Sequence, residues 1–200
     1  MNLRFLGDAL DYWKGSVFLR LQNGGILKDF SVDPMLTDSG DWDADDFKLY
    51  ADLLQIRRKQ ILPHKIELRE DREKYFAEVM HTGDLFVDPD TGIASRDAGH
   101  AEKYIRVREV RQLLGEKLPR ILCIYQHIRA KKTRDRVREL IETLAAEFDK
   151  FDTRIYCCTY ETPTVAMLFV SQKQNRIEQV NKYFKNYLGR HSNIRVYCTI

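Results

Sequence analysis

Apolar residues at Leu10, Trp13, Val17 and Leu21 recur at three- and four-residue intervals, which predicts an amphipathic helix over residues 8–21. Asp8 is placed to cap its start and Asn23-Gly24-Gly25 to stop it. Phe30-Ser31-Val32-Asp33 reads as a short strand, followed by a turn-rich stretch from Pro34 to Trp42 and a second helical pattern over residues 43–56. Residues 62–68 alternate enough for a strand, and residues 70–80 return to helical spacing. Leu85-Phe86-Val87 is an unbroken apolar run halted by Asp88-Pro89-Asp90-Thr91-Gly92, the pattern of a buried parallel strand entering a loop. A helix over Val107, Val110 and Leu113 then leads to the clearest buried strand, residues 120–125, which ends in Gln126-His127.

The next helix carries Val137, Leu140, Ile141, Leu144 and Phe148 on one face. Residues 154–160 and 165–170 are strand-like and separated only by Glu161-Thr162-Pro163-Thr164, too short a link for a crossover helix, so they are expected to pair as an antiparallel hairpin. A helix over residues 174–188 stops at Gly189, and residues 194–198 supply a closing strand. Strands alternating with helices predict an α/β fold: a Rossmann-like, mostly parallel sheet with helices on both faces and a C-terminal antiparallel hairpin. A length of 200 residues suits one such domain spanning residues 1–200.

Composition narrows the class. Hydrophobic residues make up 44% and charged residues 32%, an ordinary globular balance with a heavily charged surface. No run of eighteen apolar residues is present, and Asp8 and Asp11 fall where a secretory signal would need an apolar core, so a cytoplasmic protein without a membrane anchor is expected. Cys123, Cys157, Cys158 and Cys198 lie in apolar runs without C-x-x-C spacing and read as reduced core residues. The net charge of +3 is too small to announce nucleic-acid binding. Arg129, Lys131, Lys132, Arg134, Arg136 and Arg138 nevertheless concentrate positive charge near the start of one predicted helix. They suit phosphate contacts to RNA or DNA, or else a solvated face paired with Glu139 and Glu142.

In open α/β sheets ligands bind beyond the carboxyl ends of the strands, where loops converge. Asp88-Pro89-Asp90 follows one strand and Tyr125-Gln126-His127 ends another; if these strands are neighbours, the clusters face one crevice. Asp88 is the leading catalytic candidate, with Asp90 beside it; either carboxylate could instead organise the turn. His127 is a candidate general base or phosphate contact because imidazole titrates near neutral pH, or else a hydrogen-bonded structural residue. Lys14 could hold a carboxylate or phosphate, or be solvated. His64, His81, His100 and His191 show no ligand spacing, and no dinucleotide fingerprint, phosphate loop or metal-binding histidine pair occurs.

Gly7-Asp8-Ala9-Leu10-Asp11-Tyr12-Trp13-Lys14 resembles the G-N-x-x-D-x-x-K-H opening of the large-subunit ribosomal RNA adenine-N6 methyltransferases, and Leu85-Phe86-Val87-Asp88-Pro89 resembles the strand and first residues of their D-P-P-Y motif. The C-terminal hairpin is similar to the antiparallel pair closing the sheet of class I S-adenosylmethionine-dependent methyltransferases. The chain also resembles a group of uncharacterised bacterial proteins with the pattern G-D … D-P-D-x-G … Y-Q-H, matched by Gly7-Asp8, Asp88 to Gly92 and Tyr125-Gln126-His127. The methyltransferase resemblance implies S-adenosylmethionine as cofactor, Asp88 accepting a hydrogen bond from the target amine, and Lys14 contacting the cofactor carboxylate. Asp90 and Thr91 stand where that family has a second proline and a base-stacking aromatic. Residues 31–38 replace its glycine-rich loop, leaving Asp38 and Gly40, in Asp38-Ser39-Gly40, to supply the cofactor turn.

Three functions compete on this sequence. One is a nucleic-acid methyltransferase working through Asp88, with Arg129, Lys131, Lys132 and Arg134 on phosphates. Another is a metal-dependent nuclease or phosphoesterase in which Asp8, Asp88 and Asp90 gather Mg²⁺ or Mn²⁺ and His127 or Lys14 assists. The third is a non-catalytic binding protein on a methyltransferase scaffold.

Overall fold

The computed structural model describes residues 1–37, 42–63, 68–77, 83–94, 101–115, 119–128, 133–191 and 194–198. Its centre is a six-stranded sheet containing β1 (Ser31–Asp33), β2 (Leu85–Val87), β5 (Leu122–His127), β6 (Tyr156–Glu161), β7 (Val165–Ser171) and β8 (Ile194–Cys198). Two further short strands, β3 (Gly92–Ile93) and β4 (Tyr104–Ile105), pair with each other. The helices are α1 (Ala9–Asn23), α2 (Ala44–Leu53), α3 (Arg72–Ala77), α4 (Val107–Leu114), α5 (Thr133–Asp149) and α6 (Gln174–Leu188).

Alternation along the strands sorts the core into two layers, because successive side chains of a strand point to opposite faces. Val32, Phe86, Cys123, Tyr125, Met167 and Phe169 pack against α1, α2 and α6 through Phe18, Leu21, Tyr50, Ile177, Val180 and Phe184. Leu85, Val87, Leu122, Ile124, Leu168 and Val170 pack against α3, α4 and α5 through Tyr75, Val110, Leu113, Val137, Leu144 and Phe148. Both faces are thus covered, and this is why the strands read as continuous apolar runs. Cys123, Cys157 and Cys158 lie buried within these layers, and burial holds the Cys123 and Cys158 thiols well above their ordinary range. Among the described residues no helix is long and apolar enough to cross a membrane.

Strand order is β1-β2-β5-β7-β6-β8. β1, β2 and β5 are parallel, while β7 lies antiparallel to β5, β6 to β7, and β8 to β6. The sheet is therefore mixed, and its antiparallel part reaches beyond the expected hairpin. α6 carries the chain from β7 across β6, so β8 runs in the direction of β7 and meets β6 head to tail. A strand over residues 62–68 does not form at its described positions. Ile61 makes a lone parallel bridge to Val32, and Pro63 has no N–H with which to extend a ladder. The strand expected at residues 120–125 is shifted to Leu122–His127, leaving Arg120 buried but outside the ladder.

α1 and α2 cross closely at Gly15, where a Cβ would overlap the Leu53 carbonyl. Gly15→Ala is therefore expected to lower the unfolding free energy by about 1–3 kcal/mol through overpacking, read from the urea midpoint at unchanged slope. A stability equal to that of the native chain would show that the two helices part without cost.

Candidate functional site

The three segments of the G-D … D-P-D-x-G … Y-Q-H pattern meet at the carboxyl ends of β2 and β5. β2 pairs with β5 in the register Val87↔Ile124, so Asp88 comes level with Tyr125. Gly7 has φ of 90°, a conformation that disfavours side chains, and its N–H reaches Asp11 Oδ2 at 3.1 Å. Asp8 then caps α1, its Oδ1 accepting from the N–H groups of Leu10 and Asp11. This start points Asp11 and Lys14, three residues apart and so on one face of α1, at the sheet.

Lys14 is buried, and its Nζ donates to Asp11 Oδ1 at 3.0 Å and to Asp88 Oδ2 at 2.8 Å. The ammonium also lies 4.4 Å from the centre of the Tyr125 ring. From α2, the fully buried Tyr50 hydroxyl donates to the same Asp88 Oδ2 at 2.7 Å. Oδ2 is thus doubly held, whereas Oδ1 accepts no hydrogen bond from any described residue. Burial, more than the nearby Asp88 and Asp11 charges, holds the Tyr50 phenol well above its ordinary range, so it stays a donor.

The loop beyond Asp88 is pinned from β5. Gln126 Oε1 accepts from the Ile93 N–H at 2.8 Å, and its Nε2 donates to the Thr91 carbonyl at 3.2 Å. Gly92, at φ of 123°, abuts the Gln126 amide so closely that a Cβ would collide with it. Asp90 Oδ2 accepts from Thr37 Oγ1 at 3.3 Å, and its Oδ1 forms an ion pair with the Met1 amino group, also at 3.3 Å. That amino group donates to the carbonyls of Pro34, Met35 and Asp88. His127 is half-buried, its Nε2 3.2 Å from the Tyr125 hydroxyl.

Lys14, Asp88, Asp90 and His127 line one cavity of about 170 Å³, together with Tyr125 and the largely exposed Phe5. The structure brings these four sequence-predicted residues together, whereas Tyr50, Asp11 and Thr37 were not singled out from the sequence. Asp38, Gly40, Arg129, Lys131 and Lys132 lie outside the described residues, as does the side chain of Arg134.

A divalent cation bound by Asp8, Asp88 and Asp90 would require three free carboxylates. Asp8 gives Oδ1 to its cap and Asp88 gives Oδ2 to Lys14, and among the described residues no group of three or more His, Cys, Asp or Glu side chains is arranged to hold a metal ion. S-adenosylmethionine would have to lie beyond β1. There Asp33 Oδ1 accepts from the Tyr75 hydroxyl and the Met35 N–H, Met35 is fully buried, and Met1 is buried on the neighbouring carbonyls. In this arrangement the described residues do not fit the cofactor; the 170 Å³ at Asp88 is also below the roughly 300 Å³ at which ligand pockets usually begin. Lys14 would have to surrender one of its two carboxylates to hold a third. Compared with known proteins, the chain matches no family model and no curated protein.

Burial disfavours the Asp11 charge more than Lys14 restores it, with Asp88 adding repulsion, so the Asp11 carboxyl sits above its ordinary range. For Lys14, burial works against the charge, but the carboxylates of Asp88 and Asp11 and their hydrogen bonds outweigh it, and its pKa is raised. The lysine therefore contributes stability that is full below its unfolded pKa and lost as pH rises through the folded value. The aspartate acts in the same pH direction, because its buried charge is a cost to the folded state that is relieved as pH falls through the folded Asp11 value. Lys14→Met leaves two facing buried carboxylates, for which a loss of about 3–5 kcal/mol is expected at pH 8. The loss should shrink at pH 5 as Asp11 takes up a proton. Urea unfolding of both proteins at the two pH values reads this, and a pH-independent loss would mean that the acids are not coupled through Lys14.

Proposed function

We propose that this chain is a binding protein on a methyltransferase-like scaffold, which accepts the amine-bearing edge of a nucleobase of RNA or DNA at Asp88. The observation that carries this reading is the asymmetry of that carboxylate. Lys14 and Tyr50 both hold Oδ2, so the group is fixed in place with its other oxygen left as an acceptor beside a small cavity. An acceptor so placed selects for a ligand N–H, because a ligand without one leaves the oxygen unpaired. The size of the cavity suits part of a base rather than a whole cofactor.

Further features support the same reading. Phe5 is 57% exposed at the cavity and offers an aromatic face for base stacking, the role that the residue after the second proline plays in the resembled motif. The basic run beginning at Arg129 starts two residues beyond His127 and supplies cations for phosphates. The parallel β1, β2 and β5, followed by an antiparallel hairpin, accord with the resemblance to class I methyltransferases, as does the position of Asp88 directly after β2.

Thermal unfolding of the native chain with adenosine, cytidine, uridine and S-adenosylmethionine tests the proposal. Adenosine and cytidine, which carry an exocyclic amine, are expected to raise the midpoint with the logarithm of their excess over Kd, and uridine to do so less. Asp88→Asn should abolish the preference. Phe5→Ala, at an exposed position that leaves the core intact, should weaken nucleoside binding by about 1–3 kcal/mol. No response to any nucleoside would remove the proposal. Stabilisation by S-adenosylmethionine alone would put the methyltransferase reading in its place.

A further inference from the structure

The opposite end of the same strands carries a second unusual charge arrangement. Arg120 precedes β5, is only 2% exposed, and lines a cleft of about 230 Å³. Its Nε is enclosed without a hydrogen-bond partner, and among the described residues the guanidinium makes no ion pair. A buried cation left uncompensated costs several kcal/mol, so its position calls for an anion.

The nearest carboxylate does not answer that need. Asp84 Oδ2 accepts from Arg176 Nη2 at 2.6 Å and from the Lys28 N–H at 2.6 Å, while its Oδ1 accepts from the Ile121 N–H at 2.7 Å. The acid is thus occupied in joining α6 and the chain before β1 to the strands β2 and β5. Arg176, 9% exposed, and Lys28 line the same cleft, so three cationic side chains surround it. Asp84 and Asp29 bring two negative charges, leaving an excess of one positive charge. Burial also holds the Arg120 guanidinium below its ordinary range, with Asp84 offsetting only part of that effect.

We propose that this cleft binds a phosphate-class oxyanion, as free phosphate or as a phosphate monoester, with Arg120 as its buried anchor and Arg176 and Lys28 at its rim. A planar guanidinium donates two parallel N–H groups to such an anion, and the enclosure strengthens the bond by excluding water. The site stands apart from the cavity at Asp88, and either can fail without the other.

The test compares native protein, Arg120→Met and Asp88→Asn by thermal unfolding in phosphate and in chloride at matched ionic strength. Native protein and Asp88→Asn are expected to gain about 3–6 °C at a tenfold excess of phosphate over Kd. Arg120→Met should show no phosphate-specific gain. Because the substitution removes an unpaired buried charge, it should unfold in chloride at or above the native midpoint, a direction opposite to most core changes. Hydrogen exchange of the native chain at residues 83–84 and 120–121 provides a readout that needs no variant, with slower exchange expected in phosphate. Adenosine monophosphate identifies the source: displacing phosphate marks a monoester site, and failing to displace it marks a free-phosphate site. The proposal is overturned if the native midpoint moves equally in phosphate and chloride with unchanged exchange, or if Arg120→Met keeps the native response.

Discussion

The Lys14 ammonium between Asp11 and Asp88 is the interaction on which the rest of this molecule turns. Each buried ion costs several kcal/mol in lost hydration, and removal of any partner leaves the others exposed to that cost. The cluster draws its members from α1, from the end of β2 and, through the Tyr50 hydroxyl, from α2, so it fixes two helices against the sheet. Gly15, the next residue along α1, contributes from the other side. Its missing side chain lets α2 approach closely enough for Tyr50 to reach Asp88. Packing and electrostatics therefore converge on one carboxylate, and the geometry of the cavity follows from the stability of the fold.

This coupling also limits the chemistry available. A lysine shared by two carboxylates and set over an aromatic ring is poorly placed to meet a third anion, whereas a carboxylate held by one oxygen keeps the other for a donor. The loop that shapes the far wall is equally constrained. Gln126 bonds the backbone at Thr91 and Ile93, and Gly92 has neither the φ nor the space for a side chain. The D-P-D-x-G and Y-Q-H segments thus mix two kinds of residue. Asp88, Asp90 and His127 line the cavity, while Gly92 and Gln126 hold its wall in place.

Much of this was legible in the sequence where one physical rule dominates. Unbroken apolar runs at residues 85–87 and 121–125 announced strands covered on both faces, and the abrupt acid at Asp88 marked a strand end. The four-residue link before Val165 announced the hairpin. What could not be read depended on distant partners. Tyr50 sits on a stretch read only as helical, and nothing local reveals that its hydroxyl reaches a carboxylate 38 positions away. The direction of β8 depends on α6 passing over β6, a choice made by packing and not by the residues of the strand. Arg120 read as the first residue of a strand because apolar residues follow it, although the ladder begins only at Leu122.

The two ends of β2 show how similar residues acquire different roles. Asp84 and Asp88 flank the strand, both buried, and each sits beside a cation from a helix packed on the same face of the sheet. Asp84 spends both oxygens on backbone N–H groups as well as on Arg176, and its charge is fully committed to joining elements together. Arg120 is consequently left without an ion pair, its charge only partly offset by Asp84. Asp88 meets its cation, which it shares with Asp11, and a phenol through a single oxygen, so an acceptor stays open there. One end of the sheet thus lacks an anion and the other lacks a donor. The difference arises from which backbone N–H groups lie within reach: the chain entering a parallel strand offers several to Asp84, whereas the chain leaving β2 through Pro89, which has no N–H, offers fewer to Asp88.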